Sequence, residues 1–137
     1  MLYAFLCYND EQVTTSWTKE EDAAVMAKLA NVHERLAREG RLGPTARLMP
    51  TTAATTLRKG GRGRRLEPSP EPPVILDGPY AETKEQMLGF YTVECASLED
   101  ALEIAKELSQ ANPGGAYEIR PVSLFLPGTL PGPSPAR

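Results

Sequence analysis

Hydrophobic and polar positions alternate and recur along this chain in a way that defines its elements. Residues 2–8, LYAFLCY, are apolar on both alternating faces, which predicts a strand covered on both sides. Residues 18–39 switch to helical spacing. Val25, Leu29, Val32 and Leu36 form one stripe, Thr18 and Glu21 are spaced as a capping box, and Arg35 and Arg38 sit near the exit. Gly40 comes next as the C′ residue. Residues 41–50 then read as a second strand. Residues 53–66 read as a hairpin arm, with Thr55-Thr56-Leu57 on one side and Gly60-Gly61 at the turn. The proline-rich run 67–73 is a stiff connector. Residues 87–95 return to β-forming composition. Ser97 with Asp100 is a second capping box, ahead of a stripe of Leu98, Ala101, Leu102, Ala105 and Leu108. Asn112-Pro113-Gly114-Gly115 stops that helix, and residues 116–126 form a last strand.

The order β-α-β, hairpin, β-α-β predicts an α+β fold, a ferredoxin-like sandwich with both helices on one sheet face. Tyr3, Phe5, Phe90, Tyr117, Ile119 and Phe125 supply more apolar surface than one face needs. The free face therefore calls for a cover, most simply a second copy of the chain. One domain over residues 1–126 and a Pro/Gly-rich tail over 127–137 emerge from the same pattern.

Composition adds exclusions. Charged residues make up 24% of the 137 and apolar ones 41%, the balance of a soluble globular domain. A net charge of −3 argues against nucleic-acid binding. No apolar run is long enough to span a bilayer, and the N-terminal segment lacks the basic region of a signal peptide, so a cytoplasmic location is expected. Cys7 and Cys95 fall in strands, read as small buried hydrophobes, and fall too far apart in a ferredoxin-like sheet for a disulfide. With one histidine and no cysteine pair a zinc site is not expected. No phosphate-binding glycine loop, nucleophile elbow or HExxH pattern occurs, and the sequence points to no cofactor and no metal.

The densest chemistry lies in Asp77-Gly78-Pro79-Tyr80-Ala81-Glu82-Thr83-Lys84-Glu85, directly after Val74-Ile75-Leu76. Gly78 and Pro79 end the strand and set the direction of the loop beyond it. Asp77 then either caps the turn or stands as a carboxylate at a pocket rim. The segment resembles the signature of the DGPF (DGPFAETKE-type), YCII-related family, with Tyr80 in place of Phe. Gly89-Phe90-Tyr91, the Arg38-Glu39-Gly40 helix exit and Glu118-Ile119-Arg120-Pro121-Val122 extend the match over most of residues 1–126. The resemblance implies a dimeric α+β barrel, whose relatives include cofactor-free isomerases, dehydrochlorinases and lyases for small organic acids and ring compounds. Many family members resemble proteins encoded beside extracytoplasmic-function sigma factors, which implies a regulatory alternative. The YCII-like branch is thought to pair a helix histidine with an acidic residue. Its histidine sits about one turn nearer the helix start, where this chain has Leu29.

His33, the sole histidine, lies roughly 65° from the centre of its helix stripe at about 100° per residue, a half-buried boundary position. It is either a structural histidine or a base oriented by Asp77. Arg120, in a largely apolar strand, either pairs with Asp77, Glu82 or Glu94 or clamps an anion. Arg47 poses the same choice. Tyr80, Glu82 and Lys84 are further ligand-binding candidates, and Tyr80 and Tyr91 either donate into a pocket or pack in the core. The basic tip Arg58, Lys59, Arg62, Arg64 and Arg65 lacks interleaved aromatics and reads as edge protection. Two functions fit: a cofactor-independent acid–base enzyme of isomerase or lyase type, working in the cavity of a homodimer with Asp77 and His33, or a non-catalytic metabolite-binding or regulatory dimer.

Overall fold

The computed structural model describes residues 1–60 and 71–131. Along the chain its elements are β1 (Leu2–Asp10), a short α1 (Glu11–Thr14), α2 (Lys19–Arg38), β2 (Ala46–Arg47), a 3-10 turn (Thr51–Ala53), β3 (Thr55–Arg58), β4 (Val74–Asp77), β5 (Glu85–Glu94), α3 (Leu98–Ala111) and β6 (Ala116–Pro121). Strand β1 is central. It runs antiparallel to β5, from Leu2↔Glu94 to Asp10↔Glu85, and antiparallel to β6, from Tyr3↔Pro121 to Tyr8↔Ala116. With β2 outside β5 the sheet order is β2-β5-β1-β6, consistent with the expected ferredoxin-like α+β arrangement. The register of β1 against β5 shifts between Cys7 and Tyr8. Such a bulge bends the strand and re-aims nearby side chains.

Helix α2 begins and ends where its sequence requires. Thr18 Oγ1 accepts from Glu21 N at 3.0 Å while Thr18 N donates to Glu21 Oε1 at 2.9 Å, so the capping box closes on both sides. At the exit Gly40 takes φ +69° and Arg41 N donates back to Leu36 O at 2.9 Å. The stripe meets the sheet: Leu29 and Leu36 are buried, and Val25 and Val32 pack against the same core. Phe5, Val93, Cys95, Leu36 and Leu108 are the fully enclosed centre, each large aliphatic or aromatic side chain contributing about 1.5–3 kcal/mol by leaving water.

Helix α3 departs from expectation twice. Ser97 Oγ accepts from Asp100 N, but the Asp100 carboxylate does not return to Ser97; it takes Ala96 N and Arg41 instead. The buried face is Ala101, Ile104, Ala105, Leu108 and Ala111, whereas Leu98 and Leu102 are exposed. Three alanines let the helix approach the sheet closely, which turns the bulkier flank outward.

Other boundaries also move. Only Ala46–Arg47 of the expected second strand pairs with β5, with an isolated bridge at Leu42↔Val93. Strand β3 pairs with β4, Thr55↔Asp77 to Arg58↔Val74, in a separate two-stranded sheet. Gly61, the basic residues Arg62, Arg64 and Arg65 and most of the proline connector lie outside the described residues. The last strand ends at Pro121 rather than 126. Tyr3, Phe5, Tyr117 and Ile119 all belong to the helix-side core, so the opposite face is smaller than expected; by register it carries Ala4, Leu6 and Phe90 beside Glu118 and Arg120. Among the described residues no helix is long and apolar enough to cross a membrane.

Candidate functional site

A cavity of about 290 Å³ opens on the helix side of the sheet, between α2 and the bulged end of β1. Its wall includes Trp17, Val25, Leu29, Tyr91 and Tyr117, and its polar lining includes Cys7, His33 and Asn112. Local sequence explains the placement. His33 comes after Val32 on the flank of the buried stripe, so its ring leans over the sheet and meets Tyr91 at 5.1 Å between centroids, tilted by 59°. Tyr91 meets Tyr117 edge-on at 6.5 Å. Phe5 lies opposite Tyr91 and Cys7 opposite Tyr117, so the His33–Tyr91–Tyr117 row spans β5, β1 and β6 on one face.

Burial keeps this row uncharged. It pulls the His33 pKa below the ordinary histidine value and pushes the Cys7 thiol up to about 12. Tyr91 is raised to about 12, first by burial and then by Cys7. Tyr117 is raised by burial, then by Tyr91 and Cys7, against a side-chain hydrogen bond from Asn112. Among the described residues two buried polar atoms lack partners: His33 Nε2 and Asn112 Oδ1. Buried polar atoms are normally paired, so an orphaned pair in one cavity wall is a functional signal. A neutral imidazole with a free nitrogen can accept a proton, and nearby phenols can donate hydrogen bonds to a charge that develops.

The charged residues of the cavity lie toward its outer side. Arg47 Nη2 pairs with Asp22 Oδ1 at 3.2 Å, and both are substantially solvated. Glu11 accepts Thr51 N at 2.7 Å and also Thr51 Oγ1, tying the 3-10 turn to the start of α1.

Of the side chains singled out in the sequence, His33, Arg47 and Tyr91 are brought together in this cavity. Asp77 is not among its lining residues. It is exposed at the end of β4, opposite Thr55, and no carboxylate among the described residues hydrogen-bonds His33. Tyr80 is exposed beneath the Arg58 guanidinium, 5.1 Å from its ring centre. Glu82 and Lys84 line a second depression beside Asp10, with Lys84 Nζ 4.0 Å from Asp10 Oδ2. Arg120 lies on the open sheet face, its nearest carboxylate being Glu118 at 3.8 Å. Among the described residues no three His, Cys, Asp or Glu side chains gather as metal ligands.

Sequence reasoning passed over Asn112, Tyr117, Trp17 and Asp22. Asn112 was hidden inside a helix-stop signal, and Tyr117 was indistinguishable from any other inward aromatic of a strand. Trp17 precedes the α2 cap, where nothing in the periodicity marks it.

Comparison with known proteins bears on all of these residues. The family model for the YCII-related domain matches residues 1–126. An uncharacterised protein of Rhizobium meliloti (strain 1021) is 54% identical over 132 residues, covering 96% of this chain and 99% of the relative.

Proposed function

The chain belongs to the YCII-related domain family, and on that premise we propose that it binds a small organic molecule in the α2-side cavity and moves a proton on it without a cofactor. His33 is the base in this reading. The observation that carries it is the buried, unpartnered Nε2 of His33, held neutral beside the Tyr91 ring. A desolvated imidazole is already deprotonated near neutral pH, and in this reading Tyr91 and Tyr117, which line the same cavity, hydrogen-bond the oxyanion formed as a C–H proton leaves. Asp77, exposed and outside the cavity, has no step here.

Homodimerisation belongs to the same proposal. The sheet face with Ala4, Leu6 and Phe90 has no helix over it, and the β3–β4 ribbon exposes Leu57, Val74, Ile75 and Leu76. A two-stranded ribbon is marginal in water on its own. A second copy supplies cover for both. Sedimentation equilibrium at micromolar concentration is expected to give a dimer; a monomer refutes this part.

One observation favours a second reading, a non-catalytic metabolite-binding dimer with a regulatory role, such as one tied to an extracytoplasmic-function sigma factor. No carboxylate among the described residues stands behind His33, whereas a general base is commonly oriented by one. The test is C–H exchange in D₂O, monitored by NMR on a panel of one- and two-ring ketones and lactones. The enzyme reading expects exchange that His33→Gln slows by about 10²–10⁴-fold. Ligands that bind without exchange establish the second reading.

A further inference from the structure

We infer that the cavity selects an uncharged, largely apolar ligand that brings an O–H or N–H donor to Asn112 Oδ1, and that it discriminates against carboxylates. This rests on the reading of the cavity as a ligand site. It narrows the ligand class from small acids and ring compounds to uncharged donors.

Charge carries the first half. The ionisable carboxylates and cations lining the cavity are Glu11, Asp22 and Arg47, two acids and one base. The single guanidinium already pairs with Asp22 at 3.2 Å. An incoming carboxylate would meet Asp22 beside its only cation and would lose its own hydration against an apolar wall. Of the other lining groups, Cys7, His33, Tyr91 and Tyr117 are held neutral by burial and supply no positive charge. A bidentate clamp of the kind that recognises organic acids is therefore missing among the lining residues.

Hydrogen bonding carries the second half. Asn112 Oδ1 can only accept, and it is buried without a donor. A bound molecule with an O–H or N–H satisfies it, whereas a purely acceptor or hydrocarbon ligand leaves it orphaned. His33 Nε2 accepts or donates according to tautomer, so it adapts to what the ligand offers. The aromatic walls of Trp17, Tyr91 and Tyr117 suit a flat body, and 290 Å³ falls at the small end of ligand pockets.

Three probes of one shape test this on the full chain: p-cresol, toluene and 4-methylbenzoate. Binding is read by calorimetry and by Trp17, the sole tryptophan, whose emission reports directly from the cavity wall. The expected result is p-cresol at least about tenfold tighter than either other probe, equivalent to 1.4 kcal/mol. Asn112→Leu should lower p-cresol to the level of toluene. If that variant does not fold, the wild-type ranking still decides. Equal binding of p-cresol and toluene overturns the role of Asn112. Equal or tighter binding of 4-methylbenzoate overturns the ligand class and leaves the cavity reading intact. No heat and no emission change with any probe removes the cavity reading, and this inference with it.

Discussion

Arg41 Nη2 donates to Asp100 Oδ2 at 2.6 Å, and the same oxygen accepts Ala96 N at 2.9 Å. Arg41 also donates from Nε to Glu94 O at 3.0 Å, so one guanidinium joins the exit of α2, the end of β5 and the start of α3. Asp100→Ala removes the acceptor of two donors and should cost about 1–3 kcal/mol. Arg41→Met should cost a similar amount, and the double variant less than the sum, because both changes break one network. Chemical denaturation of the four proteins checks this; strict additivity would show the contact to be idle.

Acid should unfold the protein in two windows. Burial depresses the His33 pKa in the fold, so the unfolded chain binds the extra proton first. Stability from this group is complete above its ordinary value of 6.5 and falls as pH drops through the folded pKa. The Asp100 pKa is lowered chiefly by the Ala96 backbone hydrogen bond and then by Arg41, so its contribution is lost further down, below 3.8. Melting temperatures between about pH 7.5 and 5 should fall for the wild type and flatten for His33→Gln. An unchanged slope in the variant would assign the acid sensitivity to other groups.

Two glycines with positive φ should respond differently to alanine. At Gly115, φ +74°, a Cβ would lie 2.0 Å from Tyr8 O. At Gly78, φ +103°, a Cβ meets nothing within 4 Å. Gly78→Ala is expected to cost only the conformational strain, about 1–2 kcal/mol. Gly115→Ala adds a backbone clash and should cost clearly more, with visible loss of the cavity wall beside Asn112. Comparable melts for the two variants would contradict this.

Both cysteines are free. Cys7 is raised to about 12 and Cys95 is also raised, each first by burial. Since the thiolate is the nucleophile, native protein at about pH 8 should react with iodoacetamide far more slowly than denatured protein, by about 10²-fold or more at Cys7. Mass spectrometry of labelled peptides reads this directly. Rapid native labelling at Cys7 would mean that the cavity opens often.

Asp77 is exposed, so Asp77→Asn should change stability by no more than about 0.5 kcal/mol. A turn-capping role predicts a larger loss, and thermal melts separate the two.

Much of the fold was legible because local signals there agree with one another. The Thr18–Glu21 box, the Val25–Leu36 stripe and Gly40 together defined α2 almost to the residue. Failures came where tertiary packing decides. Spacing alone could not show that Ile104 rather than Leu102 faces the core, since the alanines that permit close approach look permissive on any face. Nor could composition reveal that β3 reaches across the sequence to Val74–Asp77. The site was half visible. His33 stood out by rarity, but Asn112 becomes important only when β6 brings Tyr117 beside it. Conversely, the motif centred on Asp77 drew the eye to the family in the sequence while standing apart from the enclosed cavity.

The central place of β1 also sets the timetable of folding. Tyr3 lies opposite Pro121, at nearly the far end of the described chain, while the other edge of β1 takes β5. Such long-range pairing is slow to form, because the loop must close before the contact repays it. A growing chain therefore holds an apolar strand with one unpaired edge until residue 121 has left the ribosome. Premature termination anywhere before Ala116 yields a polypeptide whose most hydrophobic strand stays open to other chains, a species destined for chaperones or aggregates.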